Sequence, residues 1–555
     1  MIIGLDVGGT HTDVVLLKKS GPVKNLKVPT DTSDLFNTVL QGFDKITEGI
    51  DPKEIKRAVI STTLTTNAIV QSTVQNVGMI VIGGPGIDPE LFKTNEHYYS
   101  VKGYIDHRGR EAEKINESEI IEIAKKFKKE GILHVGVVGK FSARNPSQEN
   151  KVFELLESDF EKIFLGHKVS GNLNFPRRIA TTYLNAAVYP IHKEFFEAVK
   201  NSLAAKGLDV PIHILKADGG TMSFKSSIDF PAQTIFSGPA ASVMGAIATA
   251  PDKDVIVLDI GGTTTDIAML IDGAPVLEPL GIALGGYKTL IRSLKTRSIG
   301  IGGDSHVRVE DGKIKIGPER LGPAMAYGGP VPTTSDAVFV LKDKSSKELE
   351  KSTEAVKIIA DDLNIPVKDA AQKIFDNACQ IVLQEVEKTV LQINSQPVYT
   401  IHELLEGYKV KPTTIMVLGG PAKEFAIHLE KISDYSVGIV HEWRVANAIG
   451  AGLARPTCEV MLFADTQHGI IAAPEEDFQE PARSHYNKND AIAQATELLK
   501  EKANKNGSSE EDFEVEIIED LEFNMVRGFS TVGKNIRVKV QVKPGLIHGY
   551  DPIGS

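Results

Sequence analysis

The 555 residues carry 73 acidic against 62 basic side chains, a formal charge of −11, with 41% hydrophobic and 24% charged residues. This is the composition of a globular chain of two to four domains, and its net negative charge does not suit a non-specific binder of nucleic acid or anionic membrane. No run of ~18 apolar residues predicts a membrane span, and two cysteines, Cys379 and Cys458, are too few for an iron–sulfur cluster or a cysteine-rich zinc site. A strand predicted to start at Ile2, with no basic leader before it, gives a cytoplasmic expectation.

The first predicted element is repeated later in the chain. Leu5-Asp6-Val7-Gly8-Gly9-Thr10-His11-Thr12-Asp13-Val14 returns as Leu258-Asp259-Ile260-Gly261-Gly262-Thr263-Thr264-Thr265-Asp266-Ile267, with seven of ten positions identical. In each copy β-branched residues predict a strand, Gly-Gly-Thr a turn, and a second apolar run the returning strand of a hairpin. Glycines without Cβ let backbone N–H groups approach an anion, and threonine hydroxyls add donors. A carboxylate beside such a nest would repel phosphate unless a cation lay between, so Asp6 and Asp259 imply Mg²⁺. One copy alone would be equally well explained as a structural glycine turn. Two copies would clamp a nucleotide from both sides, and they resemble the paired phosphate motifs of the actin, Hsp70 and sugar-kinase superfamily.

Downstream, Ser33 to Ile50 has helical spacing, and Ala58-Val59-Ile60 predicts a buried strand. The run from Ser61 to Thr66, ending in Asn67, has more hydroxyls than a helix cap needs. Here the chain resembles the hydantoinase A/oxoprolinase family, whose members open amide rings at the expense of ATP. Ser61–Gln71 is similar to the family's Thr-Thr…Thr-Asn-Ala segment, and Asp106-His107-Arg108-Gly109-Arg110 to its Asp-x-Arg-Gly-Arg turn. Asn174–Ala186, Lys216–Ser223, Phe236–Ser242, Ser298–Ser305 and Ile316–Glu319 resemble further family segments in family order, over roughly residues 1–455. One departure from the pattern matters: Asp304 stands where better-known members carry Gly.

The remaining elements read from spacing. Ser118–Glu130 and Asn150–Asp159 predict amphipathic helices, Gly131–Phe141 a strand, and 342–352 a charged surface stretch. Val367–Ile393 predicts one long helix, with Cys379 inside it as a packing residue rather than a nucleophile. Thr414–Leu418 predicts a strand ending in Gly419-Gly420-Pro421-Ala422, which looks like the superfamily's adenosine motif. Arg444–Ala454 is a small-residue helix resembling the superfamily's connecting helix. After Pro456 the texture changes, with strands predicted at Glu459–Ala464, Val515–Ile518 and Ile536–Val542 and a helix at Asp490–Asn504.

The resemblance implies an α/β fold of duplicated ribonuclease H-like (actin-like ATPase) domains, divided as 1–185 and 186–456, with a nucleotide cleft between them. Residues 457–555 form a small α+β appendix. It implies ATP and Mg²⁺ as cofactors. Asp6 and Asp259 would hold the metal, and Gly8, Gly9, Thr10, Gly261, Gly262 and Thr263 would cradle phosphates, with Thr12 and Thr265 supporting. Gly419 and Gly420 would flank adenosine. His11, Thr264, Gly302 and Gly303 are further candidates on the nucleotide side, and Asp304 joins Asp6 and Asp259 as a catalytic candidate. Thr62, Thr63, Thr66, Asn67, Asp218 and Gly219 are candidate substrate contacts.

The implied acceptor is the carbonyl oxygen of a cyclic amide such as a hydantoin or 5-oxoproline, and the implied partner a hydantoinase B-like subunit within a homo- or hetero-oligomer. An amide oxygen has no proton to lose, so its phosphorylation requires no general base. A sugar or polyol kinase would need one, from Asp304, Asp218 or Asp13. A ketone carboxylase subunit and a nucleotide-gated binding protein are the other readings of the same motifs.

Overall fold

The strand carrying Asp6 lies inside a six-stranded sheet. From one edge the order is Thr221–Ser223, Ile212–Leu215, Arg57–Thr62, Ile2–Val7, His11–Lys18 and Gly21–Pro29. Ile2–Val7 runs antiparallel to His11–Lys18 and parallel to Arg57–Thr62, which is parallel to Ile212–Leu215. All six residues of Ile2–Val7 are buried, as befits a strand covered on both faces. The computed structural model describes residues 1–550 apart from Thr10, Thr32, 249–253, Pro279, 343–346, 396–408 and Ser484, and does not describe 551–555.

The strand carrying Asp259 sits in a second sheet of the same pattern: Ala274–Pro275, Thr265–Ile271, Val255–Ile260, Thr414–Leu418 and Ser436–Ile439, with Arg297–Ile299 paired to Thr265–Ile271. Val255–Ile260 is again antiparallel to the strand after its turn and parallel to the next neighbour. The sequence repeat is therefore matched by a repeat of strand order and direction.

A third sheet, all parallel, joins Lys162–Leu165, His134–Gly139, Val77–Ile82 and Tyr98–Val101. Helices Glu117–Lys129 and Ser147–Leu156 pack with it, as their apolar spacing predicts. The 31-residue helix Phe175–Ala205 joins two cores. Its Ile179, Tyr183 and Ala186 pack with Val77 and Met79, while Phe196, Val199 and Leu203 pack with Ile3, Leu5 and Phe43. The division expected at 185/186 falls inside this helix, and the first sheet draws strands from as far as Ser223. A boundary read from motif order cannot see that one helix serves both cores.

The C-terminal unit is an antiparallel five-stranded sheet with the capped helix Lys488–Lys505 packed against it. The short strands expected at Val515–Ile518 and Ile536–Val542 prove to be a long ribbon, Val515–Arg527 and Ser530–Val542. Glu519, Asp520 and Glu522 interrupt the apolar alternation in sequence. In the fold they pair with Arg537, Lys488 and Lys534, which lets the strand continue through them. Of the charged stretch 342–352, residues 343–346 lie outside the described residues and 347–352 open the helix Lys347–Leu363. Both cysteines are buried and unpaired, and burial pushes the Cys458 thiol up to about 11 and Cys379 higher still. No helix among the described residues is long and apolar enough to cross a membrane.

Candidate active site

The two Gly-Gly turns close alike. The Gly8 N–H donates to the His11 carbonyl at 3.1 Å, and the Gly261 N–H to the Thr264 carbonyl at 2.9 Å. Each turn follows the carboxyl end of a central strand, beside a parallel neighbour that ends in another candidate segment. Arg57–Thr62 leads into the hydroxyl run, and Thr414–Leu418 into Gly419-Gly420. In an open α/β sheet the carboxyl ends of parallel strands are where ligands bind.

Asp6 and Asp259 come together. The charge of Asp259 reaches Asp6, and Asn447 lies beside both, its amide donating to the Asp259 Oδ2 at 3.4 Å. Ser61 bonds to Asp6, and the Ser242 hydroxyl donates to Asp259. Asp13 and Asp266 are their cross-strand partners. Burial pushes Asp6 up to about 7, against the hydrogen bonds of Ser61 and Asn447 and with help from Asp13 and Asp259. Burial likewise raises Asp13 to about 6, which the Lys27 ammonium 3.0 Å away only partly offsets. Asp266 rises to about 6 through burial and then the charge of Asp259, while Asp259 is itself raised by burial. Carboxylates this shielded from water, Asp6 buried and the other three half-buried, and this short of positive charge suit a cation.

Magnesium fits that donor set in a limited way. Among the described residues no three His, Cys, Asp or Glu side chains converge as a protein-only metal cage. Two carboxylates, with phosphate and water completing the shell, is the arrangement Mg²⁺ commonly takes.

The second turn is built by close backbone approach. A Cβ on Gly302 would lie 2.6 Å from the carbonyls of both Gly261 and Gly262. Gly303 N–H donates to Gly261 O at 2.9 Å, and the Gly302 N–H to the Ser305 hydroxyl at 2.8 Å. Gly419, at φ +96, packs against the Asp259 carboxylate where a Cβ would fall 2.7 Å from its Oδ1. Thr12 and Thr265 are fully buried and bond to the framework, to the Thr30 hydroxyl and the Ile301 carbonyl. Gly9, Gly262, Thr263, Gly420 and His11 are exposed, and Gly8 and Thr264 half-buried, so both tips remain accessible. Burial and then the charge of Lys27 lower the His11 imidazole pKa. Thr10 lies outside the described residues.

The hydroxyl run is a packing seam as much as a surface. The Ser237 hydroxyl accepts from Thr62 N–H and donates to the Thr62 carbonyl. Thr65 bonds to Thr234, and Thr66 accepts from the Phe236 N–H. Thr62 is buried, while Thr63, Thr66 and Asn67 are half-buried, with the Asn67 amide donating to the Thr63 hydroxyl. Asp218 is placed elsewhere. Its partners are Lys216 at 3.0 Å, the Thr457 hydroxyl and, more loosely, Arg292 at 3.6 Å. Gly219 sits beside it at φ +80, backed by Met244. A cavity of about 240 Å³ opens there against the C-terminal unit, and no hairpin residue lines it.

Sequence reasoning missed Asn447, Ser242, Lys27 and Arg320. Asn447 had a signal, as the one amide within a helix otherwise made of small and apolar residues. Lys27 and Arg320 had none, because an exposed cation is ordinary until its partner is known.

Comparison with known proteins agrees with this architecture. Residues 178–460 match the family model described as Hydantoinase/oxoprolinase, and residues 2–160 its N-terminal region. The caprolactamase subunit alpha of Pseudomonas jessenii is 25% identical over 376 residues, covering 61% of this chain and 54% of that protein. The acetophenone carboxylase gamma subunit of Aromatoleum aromaticum is 25% identical over 392 residues, covering 61% and 53%. The match thus spans about half the length of either relative. The crystal structure of the ATP-dependent caprolactamase from Pseudomonas jessenii superposes with a TM-score of 0.74 at 18% identity, over 99% of this chain and 88% of that one. With family-model matches along most of the chain and both hairpins in the matched regions, the chain belongs to the hydantoinase/oxoprolinase family.

Proposed function

We propose that this protein is an ATP-dependent enzyme that activates a carbonyl oxygen by phosphorylation, with a cyclic amide as the acceptor. The observation that carries the reading is the pair of equivalent Gly-Gly turns, each behind a strand that carries an aspartate, Asp6 buried and Asp259 half-buried, with Asn447 beside both. The repeated sheet order supports two actin-like ATPase halves with ATP between them. In this reading backbone N–H groups of Gly8, Gly9, Gly261 and Gly262 bind phosphate oxygens, and Gly419 and Gly420 leave room for adenosine. Mg²⁺ held by Asp6 and Asp259 would neutralise phosphate charge when bound.

The chemistry follows from the weakness of an amide as an electrophile. Its carbonyl oxygen donates an electron pair to the γ-phosphorus, the bond to the bridging oxygen breaks, and ADP leaves. The resulting imidate phosphate carries a good leaving group at carbon. Water adds there, the C–N bond opens as its nitrogen takes a proton, and the acyl phosphate left behind is cleaved by a second water to carboxylate and inorganic phosphate. No proton has to be removed in the first step, so the chain's part there is positioning, charge stabilisation and exclusion of water.

A ketone carboxylase subunit is the second reading, favoured by the likeness to the acetophenone carboxylase gamma subunit. Both curated relatives are named as subunits, which supports a partner subunit of the hydantoinase B type that completes the reaction.

The test is ADP release by the purified chain with Mg-ATP, alone and against hydantoin, 5-oxoproline, caprolactam, small ketones and polyols. Stimulation by one cyclic amide is the expected result. Stimulation by a ketone in the presence of bicarbonate selects the carboxylase reading, and by a polyol alone rejects carbonyl activation. Asp259→Asn should lower turnover by at least a hundredfold while leaving the far-UV circular dichroism unchanged. Wild-type turnover in that variant would remove the metal assignment.

A further inference from the structure

Asp304 sits at the tip of the second hairpin. Its N–H donates to the Gly262 carbonyl at 2.6 Å, which brings its carboxylate against the turn. A Cβ at position 262 would lie 2.8 Å from the Asp304 Oδ2, so glycine there leaves the space this carboxylate fills. A phosphate held by N–H groups of the same turn would meet a second anion at close range. Such a neighbour opposes binding unless its charge is answered.

Arg320 answers it. Its Nη2 lies 2.9 Å and its Nε 3.2 Å from the same oxygen, Asp304 Oδ2. The guanidinium has five N–H donors in a planar fork, and its Nη1 has no hydrogen-bond partner among the described residues. Both side chains are open to a ligand, at 33% exposed for Arg320 and 19% for Asp304.

From this geometry we infer that Arg320 is a phosphate-binding residue of the second hairpin, and that Asp304 is a positioning residue that holds the guanidinium over the turn. The inference rests on the reading of the hairpins as a nucleotide cleft. One edge of the fork stays on the carboxylate while the free N–H groups reach a phosphate oxygen, a bridging use to which arginine is suited and lysine much less so. Asp304 then serves to hold Arg320 rather than to take a proton. The pair presents a cation to the turn.

The test is calorimetric titration of the full chain with Mg-ATP and, by competition, with adenosine, which lacks phosphate. Arg320→Gln should weaken Mg-ATP by roughly tenfold to a hundredfold, the range expected for losing charge-assisted hydrogen bonds. Adenosine affinity and the ligand-free melting temperature should hardly move. Arg320→Lys should recover part of the loss. The double variant Asp304→Gly with Arg320→Gln should bind Mg-ATP more tightly than Arg320→Gln alone, because the unanswered carboxylate is gone. Wild-type ATP affinity in Arg320→Gln, an equal loss for ATP and adenosine, or a double variant no better than the single would each overturn the inference. A wild-type chain that binds neither ligand would instead overturn the nucleotide cleft itself.

Discussion

His192 shows how one buried residue couples this fold to pH. It is fully buried in the long helix Phe175–Ala205, bonded to the Ser227 hydroxyl at 2.8 Å and packed on Phe196. Burial pushes its imidazole from an ordinary value near 6.5 down to about 3. The unfolded chain takes up a proton below about 6.5 that the folded chain refuses until about 3, so stability is full above that window and falls as pH drops through it. His213, also lowered to about 3 by burial and then by Arg57, acts in the same direction. His192→Asn should flatten the dependence of unfolding free energy on pH between 6 and 4 by up to ~1.4 kcal/mol per pH unit, one proton's worth. Denaturant titrations of both proteins across that range check it, and parallel slopes would count against a neutral buried imidazole.

At the scale of elements, the halves meet through glycine. The helix Ala446–Leu453 packs on the first central strand and on the helix Ser237–Ile247. A Cβ on Gly4 would fall 2.0 Å from the Ala448 carbonyl, and one on Gly450 2.3 Å from the Ala241 carbonyl. These are backbone atoms, which cannot swing aside. Gly4→Ala should therefore destabilise the chain by about 1–3 kcal/mol or more, the usual cost of overpacking, read as a fall in melting temperature. It should also disturb Asn447, which lies on that helix and donates to Asp259, so Mg-ATP turnover should fall in the fraction that remains folded. A variant with wild-type melting and turnover would show that the contact is looser than the geometry states.

At the scale of the molecule, the C-terminal unit is tied to the body by buried charge. Lys216 and Asp218 are 5% and 2% exposed, and Lys216 reaches the Thr457 carbonyl at 2.9 Å as well as Asp218. Lys216→Met would leave Asp218 with only the looser Arg292 as a charged partner, and removing one partner of a buried pair typically costs ~3–5 kcal/mol. Adding Asp218→Asn should recover a large part of that loss. Equal stabilities for the single and double variants, measured by denaturant unfolding, would show that Asp218 does not depend on Lys216 for its charge.

Which features were legible in advance follows from where their physics lies. The hairpins, the long helix around Cys379 and the strand ending at Gly419 could be read from sequence, because glycine turns and apolar periods act over a few residues. The repeat also carried the expectation that Asp6 and Asp259 belong to one site. Proximity between residues far apart in sequence was decided only in the folded chain. It turned the hydroxyl run from Ser61 to Thr66 into a seam against Thr234–Ser237, and it drew Asp218 to Lys216 and Thr457. It ran one helix through the expected domain boundary and set Arg320 on Asp304. Local sequence fixes which backbone a segment prefers. The partner of a charged or polar side chain is chosen by whichever distant element the packed core brings beside it.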